Sequence, residues 1–165
     1  MKTPLRLLVD CNVWIDSYMA VHARHAESLR FVNEALENGC ELLFGASKLE
    51  TVFFVIRADT KRLIRAEKGE VSERDAGFAL RFAWGCVDNM SEIATAVGID
   101  ASDLWLARKY RVYHNDLEDN VLLAAASRAE ADYLVTWDEG LLRDAAPLVR
   151  AVTPTVMLTV LHERD

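Results

Sequence analysis

Apolar residues along this chain fall into two kinds of pattern, which alternate from one end to the other. Short apolar blocks without a helical period predict buried strands. Five blocks fit that description: residues 5–9, 41–45, 93–97, 133–136 and 151–153. Apolar residues between these blocks recur at helical spacing. Strands that alternate with helices indicate a parallel sheet covered by helices on both faces. The pattern therefore predicts one α/β domain over residues 1–165.

Several helices have recognisable starts or ends in the sequence. Asn38-Gly39 ends a helix over residues 25–36, because glycine accommodates the backbone turn after the last helical residue. Pro154 suits the first position of a C-terminal helix. The other helices are predicted after Asp10, from Lys48, from Ser72 to Met90, from Ser102 to Tyr110, and over residues 117–131 and 138–145.

Capping signals predict where three of these helices begin. Ser47 with Glu50 three residues later fits a capping box, and Ser72 and Ser102 are also good N-cap residues. In the helix that Ser72 opens, Phe78 and Phe82 fall on the apolar side and are expected to face the core.

Composition is that of a soluble globular protein, with 52% hydrophobic and 27% charged residues. No apolar run approaches the roughly 20 residues that span a bilayer. The N-terminal residues lead directly into the first strand without a signal peptide, so we expect a cytoplasmic protein with no membrane partner. Cys11, Cys40 and Cys86 are widely spaced and lack any CxxC pairing, which argues against a zinc site or a disulfide framework.

The net charge of −7 argues against broad, charge-driven binding to nucleic acid, which depends on many lysine and arginine contacts to phosphates. It does not exclude an enzyme that acts on nucleic acid, because bound cations reverse the local field. The charge therefore directs attention to sites that hold a cation.

Acidic residues stand at the predicted ends of several elements. Asp10 follows the first strand, Asp138 follows the fourth, and Glu50 lies in the first turn of its helix. Asp119 opens an alanine-rich helix, with Asp116 one turn earlier. If the strands are parallel neighbours, these acids meet at one edge of the sheet, where ligands bind in α/β folds. Carboxylate oxygens are the ligands that Mg²⁺ and Mn²⁺ prefer, so the set favours phosphodiester hydrolysis.

Each of these acids also has a purely structural explanation. Asp10 caps the following helix in that interpretation, and Glu50 completes the capping box. The other three acids suit the positive ends of helix dipoles. Spacing alone does not decide between the two explanations.

Other enzyme classes find no support. The chain lacks the glycine-rich signatures of P-loop and dinucleotide sites. Asn12 stands where a phosphatase with an aspartyl nucleophile carries its second aspartate. No lysine is predicted at a strand end, which argues against Schiff-base chemistry.

Four segments resemble, in family order, the motifs of PIN-domain nucleases. The segment from Asp10 to Asp16 (DCNVWID) resembles the opening D-x-[NST]-[VI] motif. The second motif, a glutamate after a serine or threonine, is similar to residues 46–50 (ASKLE). Residues 119–126 (DNVLLAAA) match an aspartate that opens an alanine-rich helix, and residues 131–138 (ADYLVTWD) match V-T-x-D. The resemblance covers nearly the whole chain.

The resemblance implies a three-layer α/β/α sandwich with a central, mostly parallel sheet, and a Mg²⁺- or Mn²⁺-dependent endoribonuclease. It implies that the metal ligands and catalytic residues are Asp10, Glu50, Asp119 and Asp138, with Asp116 as an extra outer ligand. Asn12 and Thr136 would orient the carboxylates. Many bacterial members are VapC-like toxins, so RNA, a cognate antitoxin and a second copy of the chain are the implied partners.

Two departures from the family pattern concern the substrate. Trp137 is bulky where the family more often has a small or polar residue, so it narrows the entrance or stacks on a base. The segment at about 60–97 is long compared with compact toxins and predicts an extended helical pair.

One helix also carries a basic stripe formed by Arg57, Lys61 and Arg65, which fall at i, i+4 and i+8. The stripe can guide an RNA backbone toward the acids, and the alternative is an ordinary solvated helix face. His114 precedes the third motif and is expected at the surface. The alternative function for the whole chain is a catalytically silent PIN-like RNA-binding or scaffold protein.

Overall fold

A computed structural model of the protein describes residues 3–164 and contains one parallel sheet. Its strands are β1 (Arg6–Val9), β2 (Glu41–Gly45), β3 (Thr95–Val97), β4 (Tyr133–Val135) and β5 (Ala151–Val152). They lie in the order β3-β2-β1-β4-β5, and every neighbouring pair is parallel. The predicted parallel sheet is confirmed.

Helices connect the strands within residues 3–164. They are α1 (Cys11–Tyr18), α2 (His25–Glu37), α3 (Leu49–Lys68), α4 (Glu73–Ile93), α5 (Ala101–Tyr110), α6 (Leu117–Arg128), α7 (Glu139–Asp144) and α8 (Pro154–His162). A 3₁₀ turn at Ala46–Lys48 precedes α3. In this part of the chain no helix is both long enough and apolar enough to cross a bilayer.

Alternating side chains of the strands build two separate cores, one on each face of the sheet. On one face Leu7 and Leu42 pack with apolar residues of α1, α2, α3, α4 and α8. On the other face Leu8 and Leu43 pack with residues of α5, α6 and α7. All four leucines are buried, so the sheet is covered on both sides. This confirms the predicted three-layer α/β/α sandwich.

Two of the predicted N-caps are wrong. Ser47 lies inside the 3₁₀ turn, and α3 begins after Lys48 without a side-chain cap. Asp100, not Ser102, caps α5, because its carboxylate accepts the backbone N–H groups of both Ser102 and Asp103. A carboxylate that accepts two backbone donors is a stronger cap than one hydroxyl.

The segment at about 60–97 contains most of the long antiparallel pair α3 and α4. Ser72 caps α4 in a reciprocal capping box with Asp75, as predicted for Ser72. The expectation for the aromatic residues is wrong, because Phe78 and Phe82 are 51% and 36% exposed. The buried side of α4 consists mainly of small or flexible residues: Ala79, Ala83, Cys86, Val87 and Met90. Small side chains allow close packing on this face and leave the bulky rings outside.

The strand order reverses beside β1. The chain moves from β1 to β2 and β3 on one side, and later places β4 and β5 on the other side. In open α/β sheets the crevice at such a reversal, at the carboxyl ends of the strands, is where ligands bind. Asp10 follows β1 and Thr136 follows β4 at this position. The fold therefore creates a candidate site between these two strand ends.

Candidate active site

Asp10 is the most constrained acid at this edge of the sheet. Its side chain is buried, with 4% of the residue exposed, and it caps α1 by accepting the backbone N–H of Cys11 at 2.7 Å. Its other oxygen accepts hydrogen bonds from Asn12 Nδ2 at 3.0 Å and Thr136 Oγ1 at 2.8 Å. Three donors thus hold one carboxylate in a fixed orientation. Asp10 is both a helix cap and the centre of the site.

Thr136 connects Asp10 to the acid that follows β4. The Thr136 hydroxyl is buried and accepts hydrogen bonds from the backbone N–H of Asp138 at 3.0 Å and from Asn12 Nδ2 at 3.2 Å. Asn12 Oδ1 in turn accepts the backbone N–H of Trp137 at 3.2 Å. The structure therefore places Asn12 and Thr136 between the ends of β1 and β4, in contact with Asp10.

Asp119 lies in the first turn of α6, and Asp116 is the N-cap that accepts the Asp119 backbone N–H. Burial raises the pKa of Asp119, and the negative charges of Asp116 and Asp10 act in the same direction. His114 and Lys48 oppose that shift without cancelling it. Burial and the two neighbouring carboxylates therefore disfavour the ionised form of Asp119 more than His114 and Lys48 favour it.

His114 holds Asp119 from the protein side, and its predicted surface position is wrong. Its side chain is 11% exposed, with Nε2 3.0 Å from Asp119 Oδ2 and Nδ1 3.0 Å from Asp144 Oδ2. The hydrogen bond to Asp144 and the nearby charge of Asp119 raise the pKa of His114, against the opposing effect of burial. The imidazole is a positioning group for Asp119.

Lys48 places a buried ammonium among the acids. The side chain is 8% exposed, and its Nζ lies 2.7 Å from Glu118 Oε1 and 4.0 Å from Asp119 Oδ1. Burial alone lowers the pKa of a lysine, but the hydrogen bond to Glu118 and nearby negative charges, including that of Asp10, raise the pKa of Lys48. Lys48 is the last residue of the 3₁₀ turn that follows β2, and this turn directs its side chain inward, although no lysine stands at the strand end itself.

Asp138 is exposed and caps α7 by accepting the backbone N–H of Leu141 at 2.8 Å. Gly140 passes close to it, since a Cβ atom there would lie 3.0 Å from Asp138 Oδ1 and 3.2 Å from His114 Cε1. The absence of a side chain at Gly140 lets Asp138 and His114 approach one another. Asp138 therefore belongs to the same edge as Asp10 and Asp119.

Glu50 stands apart from these contacts. It lies in the first turn of α3 with an exposed side chain, and among residues 3–164 it forms no hydrogen bond or ion pair. The capping box that would have explained it structurally is not formed. Glu50 is thus free of a structural role in the described part of the chain, and the structure does not join it to the other acids.

The donor chemistry of the site fits a divalent metal ion. Asp10, Asp119 and Asp138 supply oxygen atoms, which Mg²⁺ and Mn²⁺ prefer. Burial and the nearby charges of Asp116 and Asp10 raise the pKa of Asp119, and a bound cation would favour its ionised form. Within residues 3–164, however, no three acidic, histidine or cysteine side chains are arranged so that they could hold an ion together. Asp10, Asp119 and Asp138 each form hydrogen bonds with protein groups instead.

The basic stripe of α3 is only partly exposed. Arg57 and Lys61 are half-buried and Arg65 is exposed. Arg57 Nε is buried and has no hydrogen-bond partner in the region the structure covers. Neither Lys61 nor Arg65 forms an ion pair among the described residues, whereas the neighbouring Arg62 pairs with Asp59 at 3.0 Å. The stripe retains uncompensated positive charge.

Trp137 is held by the protein. Its ring nitrogen donates to Ser28 Oγ at 2.8 Å, and the Arg24 guanidinium lies over the ring, 4.8 Å from its centroid. The indole also packs against the core on the α1 and α2 side. These contacts use the ring nitrogen and one face, which leaves less of Trp137 available for base stacking than the sequence indicates.

Comparisons with known proteins agree with the fold. The PIN domain family matches residues 6–140 of the chain. VapC20 from Mycobacterium tuberculosis, a Sarcin-Ricin loop cleaving toxin, has a similar structure with a TM-score of 0.56 and 15% identity, over 87% of this chain and 96% of VapC20. VapBC2 from Rickettsia felis, bound to a DNA fragment from its promoter, gives a TM-score of 0.61 with 11% identity, over 90% and 98%. No curated protein matches the chain significantly in sequence.

Proposed function

Because this chain belongs to the PIN-domain family, we propose that it is a metal-dependent endoribonuclease that uses Mg²⁺ or Mn²⁺ to hydrolyse phosphodiester bonds of RNA. The observation that carries the proposal is the Asp10 carboxylate, buried where the strand order reverses and held by three donors. The fold it shares with VapC20, described as a Sarcin-Ricin loop cleaving toxin, supports the same reaction class.

Each acid has a defined place in this proposal. Asp10, Asp119 and Asp138 would hold the ion, with Asp116 and the exposed Glu50 as further oxygen donors. A bound ion would supply positive charge to polarise the scissile phosphate and to lower the pKa of a water molecule. Side chains that hydrogen-bond to these acids keep the carboxylates oriented, and such orienting groups strongly affect metal affinity.

The supporting residues divide between orientation and charge. Asn12 and Thr136 fix the rotamer of Asp10, and His114 fixes that of Asp119. Lys48 supplies one of the positive charges that balance the acids in the absence of an ion.

Cleavage of RNA in the presence and absence of chelator tests the proposal. We expect a mixed pool of short RNAs to be cut when Mg²⁺ or Mn²⁺ is present and to remain intact in EDTA, which removes the ion. Activity should return when either ion is added in excess over EDTA. Cleavage that continues unchanged in EDTA, or a purified protein that never cuts RNA in either metal, would contradict the proposal.

The basic stripe provides a prediction for substrate binding. Replacing Lys61 and Arg65 by glutamate should weaken binding of single-stranded RNA. It should also make the slope of log K against log salt concentration shallower by about 1.4, because two phosphate contacts are lost. Fluorescence anisotropy at several salt concentrations, in EDTA, measures both. The same reversal at Arg62 and Lys68, which form ion pairs with Asp59 and Asp75, serves as the control. If the Lys61 and Arg65 variant binds like the wild type, the stripe is only a solvated helix face.

Partners follow from the same proposal. VapBC2 from Rickettsia felis is a complex bound to a promoter fragment, and its toxin-like fold covers most of the present chain. We therefore include a cognate antitoxin among the proposed partners, together with a second copy of the chain as the resemblance implies. We also propose that the whole chain acts as one domain in the cytoplasm.

A catalytically silent PIN-like RNA-binding or scaffold protein is the alternative. Two observations favour it. In residues 3–164 no three acidic, histidine or cysteine side chains are arranged to hold an ion together, and the Lys48 ammonium lies beside Asp119. The two functions separate in the chelator experiment, because a silent protein binds RNA without cutting it in either metal.

A further inference from the structure

A cavity of about 540 Å³ opens between the end of α5 and the start of α6. Its lining consists of Ala107, Arg108, Arg111, Asn115, Leu117 and Asn120. The volume lies within the range of about 300–1,000 Å³ that is usual for small-molecule sites. None of the residues proposed to hold the ion lines this cavity, but Asn120 follows Asp119 directly in α6.

Two arginines supply uncompensated positive charge at the cavity. Arg108 and Arg111 are exposed, and neither forms an ion pair or a hydrogen bond within residues 3–164. Unpaired guanidinium groups one turn apart on a protein with a net charge of −7 are suited to bind phosphate, because the planar fork matches phosphate oxygens. Lys109, between them in sequence, lies over the exposed Trp105 ring, 5.1 Å from its centroid.

Asn120 adds a buried hydrogen-bonding group to the cavity lining. The residue is 2% exposed, and its Nδ2 donates to the backbone carbonyl of His114 at 2.7 Å. Its Oδ1 is buried and has no hydrogen-bond partner in the part of the chain that the structure covers. Buried acceptors are nearly always satisfied in folded proteins, so a donor on a ligand in this cavity would be favoured by the free amide oxygen of Asn120. Base amino and imino groups are such donors.

Leu117 completes the chemistry of the cavity. Its side chain is 65% exposed at the start of α6, although it is large and apolar. A single exposed leucine needs no explanation, but in a cavity that also contains cations and an unsatisfied acceptor it offers a surface for the face of a base. The lining thus combines groups for a phosphate, a base edge and a base face.

We propose that this cavity binds one nucleotide of an RNA strand, with the phosphate on Arg108 and Arg111 and the base between Leu117 and Asn120. The inference rests on the proposed function, because it identifies the cavity as a subsite for one nucleotide of the RNA that the acids would cleave. It assigns substrate contact to α5 and α6, in addition to the basic stripe on α3. An acidic peptide is the competing occupant, and it would not use the acceptor of Asn120.

Titration of the ¹⁵N-labelled protein with the four ribonucleoside 5′-monophosphates in EDTA tests the inference by NMR. We expect saturable shifts of the Arg108, Arg111 and Leu117 backbone signals and of the Asn120 side-chain amide. Ribose 5-phosphate, which lacks the base, should shift the arginine signals only and bind at least about tenfold more weakly. Equal binding of ribose 5-phosphate, or no shift at these residues with any nucleotide, would overturn the inference.

A pair of matched variants checks the contribution of the arginines. The double variant Arg108→Gln with Arg111→Gln should weaken nucleotide binding at least about tenfold. The control Arg74→Gln with Arg81→Gln removes the same charge from two exposed residues of α4 that form no ion pair among the described residues. If both double variants weaken binding equally, the effect is one of overall charge and the subsite is excluded.

The titration separates this inference from the proposed function, since it needs neither metal nor catalysis. A protein that binds nucleotides at the cavity but never cuts RNA retains the subsite and loses the nuclease proposal. A protein that cuts RNA but shows no shift at the cavity retains the nuclease proposal and loses the subsite.

Discussion

Replacing Asp10 by asparagine is expected to reduce RNA cleavage by about a hundredfold or more, because loss of a ligand costs at least as much as loss of the groups that orient it. The substitution removes the negative charge and turns an N–H₂ group toward donors that now bind a carboxylate, Asn12 Nδ2 and Thr136 Oγ1. Initial rates on a fluorescent RNA in saturating Mn²⁺ measure the change.

The Asp10 experiment needs a control for charge and for folding. Asp88→Asn makes the same change at an exposed residue of α4 that has no side-chain partner within residues 3–164. The Asp88→Asn protein should cleave RNA at the wild-type rate. Thermal unfolding of Asp10→Asn shows how much of the protein remains folded at the assay temperature. Wild-type rates from a folded Asp10→Asn protein would remove Asp10 from the ligand set.

Replacing Lys48 by methionine is expected to strengthen binding of Mn²⁺ at least tenfold. The Lys48 ammonium lies 4.0 Å from Asp119, a distance at which two unit charges interact by about 4 kcal/mol at an effective dielectric constant of 20. A divalent ion must therefore overcome the repulsion of Lys48. Methionine keeps most of the buried length of the side chain and removes the charge, and Mn²⁺ titration followed by electron paramagnetic resonance measures the affinity.

Two further variants determine whether the effect comes from this position. Glu118→Gln removes the ion-pair partner of Lys48, so the ammonium interacts more strongly with Asp119. The variant should therefore bind Mn²⁺ more weakly. Lys68→Met removes a lysine that pairs with Asp75 between α3 and α4, and it should leave the affinity unchanged. Equal Mn²⁺ affinities for the wild type and Lys48→Met would show that the ammonium does not compete with the ion.

The sheet and its central acid are predictable from local sequence. A strand such as β1 is a short apolar block, and its partners follow from the alternation of strands and helices. Asp10 and Thr136 come at the ends of two such blocks, so their meeting across β1 and β4 requires only that the strands be parallel neighbours. This part of the site depends on regular geometry.

Lys48 and His114 could not be predicted in the same way. Lys48 points inward because a 3₁₀ turn separates β2 from α3, and a residue-by-residue pattern does not distinguish that turn from the first turn of a helix. His114 gains its role from Asp119 and Asp144, and the latter lies 30 positions away in α7. Gly140 is the nearest local signal for the position of His114. Glycine allows other groups to approach the backbone closely, and both Asp138 and His114 lie next to Gly140.

The exposed rings of α4 show a second limit of pattern analysis. Phe78 and Phe82 share a helical stripe, and their rings stack on one another with centroids 6.1 Å apart. A stripe of large apolar residues predicts the buried side only when the helix packs through its bulky residues. In α4 the close packing with α3 uses alanine and other compact side chains instead, including Ala79 and Ala83.

Three of the carboxylates at the working edge of the sheet also begin helices, since Asp10, Asp116 and Asp138 cap α1, α6 and α7. An N-cap of this kind contributes about 1 kcal/mol to stability. The proposed reaction and the stability of the scaffold thus depend on the same carboxylates. Substitution at these positions would lower the folding free energy even in a relative without the proposed activity, so stability alone favours keeping these acids.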